Sequence, residues 1–487
     1  MMYIKFVRQL GISVLLGLSF AALVLSPVAA GSTTKSLSTN FTLINLGTGP
    51  ANGVVQYFKP DGTKWRNDEL FSIANPGGQA IFRQYFDSQL PNGQGSVIVS
   101  ADQPLGAVVQ VLARNQIPTS GAYSGFPEGS TTFYVPLVIK NLMGASGLAN
   151  SQIIVQNTSS GAIGFNIRLV RYDGYATYTK TVATLAPGAS FYYDLADEDD
   201  YNVPDSWYGS AVVETTTPGG QLVVVSNLFT GPHALQTFKG FSSSAQEWLV
   251  PLFVSRLANG LSTPLSIQNV SGTTIPPGGI VITCTKNALS GDPNTINISN
   301  TQSIGHAASF FVNPVIDTTL PTNWYGSCRI SALADVVAFV QMRVIGTDRA
   351  AAYEAIPGGS IDRKVLIPLA AKRLANGFAT VINIQNLSAN ASAHVTFTYI
   401  PSPEYVAGGG SSSNIVIPNV EIPAGGSIQH NLRLSGSTPP AVPQLPDGWY
   451  GTCIIESLDQ PINGFVELTM LTGGGDTYQA HTVFTQP

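Results

Sequence analysis

A short step, Gly-Ser or Gly-Thr running into a β-branched stretch, recurs along this 487-residue chain and constrains its fold more than any other feature. It occurs as Trp207-Tyr208-Gly209-Ser210, Trp324-Tyr325-Gly326-Ser327 and Trp449-Tyr450-Gly451-Thr452, and without the aromatics as Gly95-Ser96 before Val97-Ile98-Val99. A second anchor keeps the same register. Apolar strands end at Gln156-Asn157, Gln268-Asn269 and Gln385-Asn386, with Ile44-Asn45 in the first copy. Two independent markers with a spacing near 115 residues mean units in tandem.

Each repeat reads as about seven short strands. A Val/Ile-Pro-Leu strand opens three of them, at Val135-Pro136-Leu137, Val250-Pro251-Leu252 and Ile367-Pro368-Leu369. Proline inside a strand marks an edge. The Gln-Asn strand follows, then a strand ending at a tyrosine in Tyr57, Tyr172 and Tyr399, then Pro-Gly or Gly-Gly turns. The Gly-Ser strand is expected to form a hairpin with the run after it, through turns such as Asp102-Gln103-Pro104. Tyr123, Phe238, Tyr353 and Tyr478 read as the aromatics that close the repeats.

No convincing amphipathic helix interrupts the pattern, so the expected class is all-β: four tandem antiparallel immunoglobulin-like β-sandwiches. The boundaries fall at 31–132, 133–247, 248–364 and 365–487, behind a signal peptide at 1–30. That segment has charged Lys5 and Arg8, an apolar core from Leu10 to Leu25, and a small-residue cleavage site at Val28-Ala29-Ala30. An N-terminal membrane anchor is the competing reading. No other apolar run is long enough to span a bilayer as a helix. Repeat 1 would have its Pro-Leu strand inside the signal peptide. The missing strand either is a connector needed only between domains or leaves an open edge that a strand from another molecule fills, which would join chains head to tail.

Without Lys5 and Arg8 the chain carries 21 basic against 28 acidic residues, and only 10% of it is charged. That balance offers no basic face for nucleic acid.

Among the three cysteines, Cys284 takes the place of Tyr57 and Tyr399, and Cys328 lies just past its Gly-Ser step. A disulfide between them is expected, worth roughly 4 kcal/mol by chain entropy. Cys453 matches Cys328 but faces Tyr399, and reads as a buried thiol.

Candidate ligand residues are the rim aromatics Trp207, Tyr208, Trp324, Tyr325, Trp449 and Tyr450, which could stack on sugars if exposed. The plainer reading makes them caps of the fold. Asp194, Asp197, Glu198, Asp199 and Asp200 form an acidic loop that could hold calcium, or simply be solvated. No other cofactor is implied. Asn157, Asn269 and Asn386 match glycosylation acceptors formally, yet are also the turn residues of the repeat. Catalytic motifs are missing and the five histidines do not cluster, so no enzyme is expected.

The whole arrangement resembles exported bacterial surface proteins built of tandem immunoglobulin-like repeats. The resemblance is one of architecture, and it implies structural or adhesive work at the cell surface: a filament, sheath or surface-layer subunit that self-associates or meets other surface proteins or polysaccharide. A secreted multivalent carbohydrate binder using the rim aromatics is the alternative. An outer-membrane barrel fits the strand count but not the domain-length repeat.

Overall fold

The computed structural model describes residues 37–113, 119–144, 147–197, 203–287, 290, 293–470 and 475–485. The expected signal peptide therefore lies outside the described residues. The chain is almost entirely β, with antiparallel pairing throughout.

One strand plan recurs four times. In one sheet the Gln-Asn strand is central: Leu37–Asn45, Gly147–Asn157, Leu265–Asn269 and Phe378–Asn386. It pairs on one side with a short strand after the Pro-Gly turn and on the other with the β-rich run. That run in turn pairs with a closing strand: Ser120–Ser124, Ala234–Lys239, Ala350–Glu354 or Tyr478–Thr482. In the other sheet the Gly-Ser strand lies beside the strand carrying Tyr57, Leu169, Cys284 or Tyr399. In three repeats the opening strand flanks its far side.

The expected hairpin does not form. Ser96–Ala101 and Leu105–Ala113 belong to different sheets, as do Trp207–Thr215 and Leu222–Thr230. The turn between them carries the chain across the core from one sheet to the facing one. In the third repeat the crossing is made by one continuous strand of 21 residues, Trp324–Val344, which merges both sheets into a nine-stranded one. The closing aromatic also shifts in the last repeat. Tyr123, Phe238 and Tyr353 oppose Val109, Ser226 and Val340, whereas the matching partner of Val466 is His481 and not Tyr478.

Both anchors have a backbone cause. A Cβ on Gly95, Gly209, Gly326 or Gly451 would sit 2.0 Å from the carbonyl oxygen of Phe58, Val170, Thr285 or Ile400. Only glycine allows the neighbouring strand that close. Asn45, Asn157, Asn269 and Asn386 are fully buried, and each folds its own turn. Its Oδ1 accepts the N–H two residues on, and its Nδ2 donates to carbonyls of the turn, as in Asn269 to Thr273 and Ile304 at 2.7 and 2.9 Å.

The opening strand carries its proline in a bulge. Its register against the Gly-Ser strand slips at Pro136-Leu137, Pro251-Leu252 and Pro368-Leu369, where no ladder N–H is needed.

The four repeats close into a ring. The closing strands pack on one another in a cycle, first on second, second on third, third on fourth and fourth on first. Phe238 lies 4.0 Å from Phe339, and Tyr353 stacks on Phe465 at 3.9 Å. Gln110 meets Gln479 at 2.9 Å across 369 residues of sequence. Asp476 ties the hub together. Its carboxylate accepts N–H bonds from Leu235, Ala350 and Tyr478, and its carbonyl accepts the Ser120 hydroxyl, so one residue joins all four repeats. Burial pushes its carboxyl well above the usual range, while those three N–H donors and Arg349 act in the other direction.

Outside the hub, three of the four joints use the Gly-Ser step. Ser96 donates to the Gly188 carbonyl at 2.8 Å, Ser327 to Gly425 at 2.8 Å, and Ser210 to Ala307. The receiving residue is the left-handed corner of the next repeat, with φ of 71° at Gly188, 65° at Ala307 and 64° at Gly425. The corner of repeat 1, Gly77, packs beside Ile454 of the last repeat. Around that joint Ile44, Leu46 and Leu366 are buried with Ile454 and Phe484.

Candidate functional site

The rim aromatics are not on a rim. Trp207, Trp324 and Trp449 are at most 2% exposed and sit in the hydrophobic cores. An indole enclosed on both faces offers nothing to a sugar, so the stacking expectation fails for all three. Tyr208, Tyr325 and Tyr450 are half-buried. Tyr208 stacks on Tyr172 at 4.5 Å and meets Phe311 of the next repeat edge-on, which makes it part of a joint. Tyr450 lies against Tyr405.

The acidic loop is only partly described. Asp194 accepts the Ala196 N–H at 3.0 Å, and burial raises its carboxyl to about 6. Asp197 is exposed. Glu198, Asp199 and Asp200 lie outside the described residues. Among those described, no three His, Cys, Asp or Glu side chains gather as a metal site.

Cys284 and Cys328 are joined by a disulfide and stand directly opposite each other on neighbouring strands. The same rung is Tyr57–Val97 in the first repeat, Leu169–Ala211 in the second and Tyr399–Cys453 in the fourth. Cys453 is buried, and burial pushes its thiol well up. Beside it the Tyr399 hydroxyl meets His430 Nδ1 at 2.8 Å, and burial lowers His430 to about 4.

Repeat 1 departs from the others in two ways, and both bear on function. Its Gly-Ser strand, Ser96–Ala101, ends its sheet: in the described chain no strand flanks it beyond Ala51–Phe58. None of its six residues is buried, whereas most of Trp207–Thr215 is. The strand carries neither charge nor proline. Its missing anchor aromatic is replaced from elsewhere. Trp65, in the loop after Phe58, brings its ring within 2.8 Å of where a Gly95 Cβ would stand and within 3.0 Å of that of Gly93.

The second departure is a cavity of 340 Å³ beside Trp65's loop. Arg66 forms its floor, with a guanidinium that pairs with Asp87 and with Glu69 at 3.2 Å and lies 5.2 Å from the Tyr57 ring centroid. The buried Tyr57 hydroxyl donates to Glu69 at 3.0 Å, and burial together with this bond raises its pKa. Arg83, Gln89 and Phe86 line the mouth. Reading the repeats alone misses this cleft because it is built on the loop after Phe58, whose charged residues do not follow the repeat. A signal was present in composition: six of the eleven residues from Lys59 to Glu69 are charged, in a chain that is 10% charged overall.

No family model and no curated protein matches the chain. Among solved structures, one titled "Crystal Structure of Thermotoga maritima 1070" is 18% identical, covering 24% of this chain and 96% of that one, with a TM-score of 0.20. Among the described residues no helix is long and apolar enough to cross a membrane.

Proposed function

We propose that this is an exported, non-catalytic structural or adhesive protein of the cell surface, built of four immunoglobulin-like sandwiches bounded near residues 132, 247 and 364. In this reading a second copy pairs with it through the open edge of repeat 1. The carrying observation is that edge. It is the one Gly-Ser strand without a flanking neighbour among the described residues, in a molecule whose ring otherwise binds its repeats to one another. Edge strands that must stay single are usually guarded by lysine, proline or a covering loop. Ser96–Ala101 has no such residue. Val97 and Val99 pack inward, Ser96 is bonded to Gly188 of repeat 2, and Ile98 and Ser100 remain on the outer face.

The export reading is supported by the leader-like first thirty residues and by the disulfide, which persists in oxidising compartments. The ring changes how assembly would work. Domains that close on themselves leave no free domain end for head-to-tail growth, so association falls to the edge. Light scattering of the chain from residue 31 should show a concentration-dependent oligomer, and Ile98→Lys should return it to a monomer with unchanged circular dichroism. A monomer at every concentration would remove the proposal.

A further inference from the structure

We propose that the cleft of repeat 1 is a binding site for a neutral saccharide, with Phe86 at its lip and Arg83, Asp87, Glu69 and Gln89 as its polar contacts. This goes beyond the assembly reading and moves sugar recognition away from the buried indoles. Two large apolar side chains that line this mixed-charge cavity stand exposed, Phe86 at 67% and Ile81 at 37%. A concave site with a few convergent polar groups and apolar walls is the usual form of a ligand pocket.

The electrostatics select the ligand class. Arg66 is already held by Asp87 and Glu69, with Gln89 Oε1 at 3.4 Å, so its positive charge is spent inside the protein. Arg66 and Arg83 balance Glu69 and Asp87, which leaves the lining formally neutral. An anion would face two carboxylates, and a cation would compete with a guanidinium already in place. A polyhydroxylated neutral ligand suffers neither. Carboxylate oxygens paired with Arg66 keep lone pairs for hydroxyl donors, Arg83 supplies N–H donors, and the exposed ring of Phe86 offers a face for the C–H side of a pyranose. Tyr85 stands edge-on to that ring at 5.1 Å.

Calorimetry of the intact exported chain against neutral gluco-, manno-, galacto- and xylo-oligosaccharides tests this, with oligogalacturonides and an apolar peptide as the competing classes. At least one neutral series should bind. Phe86→Ala and Arg83→Ala should each weaken it tenfold or more, while Tyr175→Ser, on a residue of repeat 2 that is 88% exposed, should not. Phe86 is largely in solvent, so its truncation leaves the fold intact, and Gln89→Ala at the exposed mouth gives a second reading of the same contact. Binding only by the acidic sugars or the peptide, no binding by any neutral series, or neutral binding indifferent to both substitutions would each overturn the proposal.

Discussion

Repeats 1 and 3 share a backbone plan and finish it in opposite ways. Repeat 3 runs both sheets through one 21-residue strand, locks the central rung with Cys284–Cys328, and covers its Gly-Ser strand with Ala245–Ser255. Repeat 1 has Tyr57–Val97 on that rung, borrows Trp65 for its missing anchor ring, and among the described residues has no strand flanking Ser96–Ala101 beyond Ala51–Phe58. Its own core of seven buried residues is small. The difference teaches where to look for function. Repeat 1, packed against its neighbours through the closing strands, has one flanking strand fewer among the described residues and one charged loop more.

The strongest way to break the comparison is at what the two repeats share. Gly95→Ala and Gly326→Ala put a methyl against the same backbone carbonyl, so each should cost more than about 4 kcal/mol, measured by chemical denaturation. A mild effect at Gly95 alone would mean that repeat 1 does not hold its strands as repeat 3 does.

Next in size is the rung. Replacing both Cys284 and Cys328 by serine should cost about 4 kcal/mol. The matching experiment elsewhere is Tyr399→Cys, which should form a new disulfide with Cys453 and remove the free thiol, read by mass mapping. If Cys453 stays free, the shared register does not extend to side-chain geometry.

A third test uses pH. Burial lowers His430 and His481 to about 4, so the unfolded chain binds more protons than the folded one between there and the ordinary value of 6.5. Stability should be complete above pH 6.5 and fall as the pH drops toward 4, by about 3 kcal/mol per histidine. His481→Phe restores the aromatic of the other repeats and should flatten that slope. Buried Asp476, with its raised value, works in the reverse direction: it favours the folded state in acid and loses that contribution as pH rises above 3.8. Asp476→Ala should therefore steepen the acid loss while weakening the hub.

The smallest expected effect is at the borrowed ring. Trp65 is only partly buried, so Trp65→Ala should cost about 2 kcal/mol against about 4 for the enclosed Trp324. Equal losses would show that repeat 1 depends on its substitute as fully as repeat 3 depends on its anchor.

Much of this was legible along the chain, for an identifiable reason. The Gly-Ser step and the buried Asn recur because each answers a backbone need within one repeat: a strand pressed against a carbonyl, and a turn that folds on its own amide. The cross-strand rung was legible too, since Cys284 and Tyr57 hold one register. The Trp-Tyr pair misled because an aromatic at a strand start has the same letters whether its ring faces solvent or core. The cleft escaped because it is an exception to the repeat and was sought within the rule.

The sequence by itself determined the all-β class, the antiparallel pairing of the Cys284 and Cys328 strands, and the recurrence of the Gly-Ser and Gln-Asn anchors, all of which rest on contacts between near neighbours in a repeat. Only the tertiary structure decided that the chain crosses between sheets after each Gly-Ser strand, that four repeats close on Asp476, and that among the described residues one Gly-Ser strand has no flanking neighbour on its far side. Those outcomes depend on backbone carbonyls and on closing strands whose side chains differ from repeat to repeat. A contact such as Gln110 with Gln479 leaves no period to read.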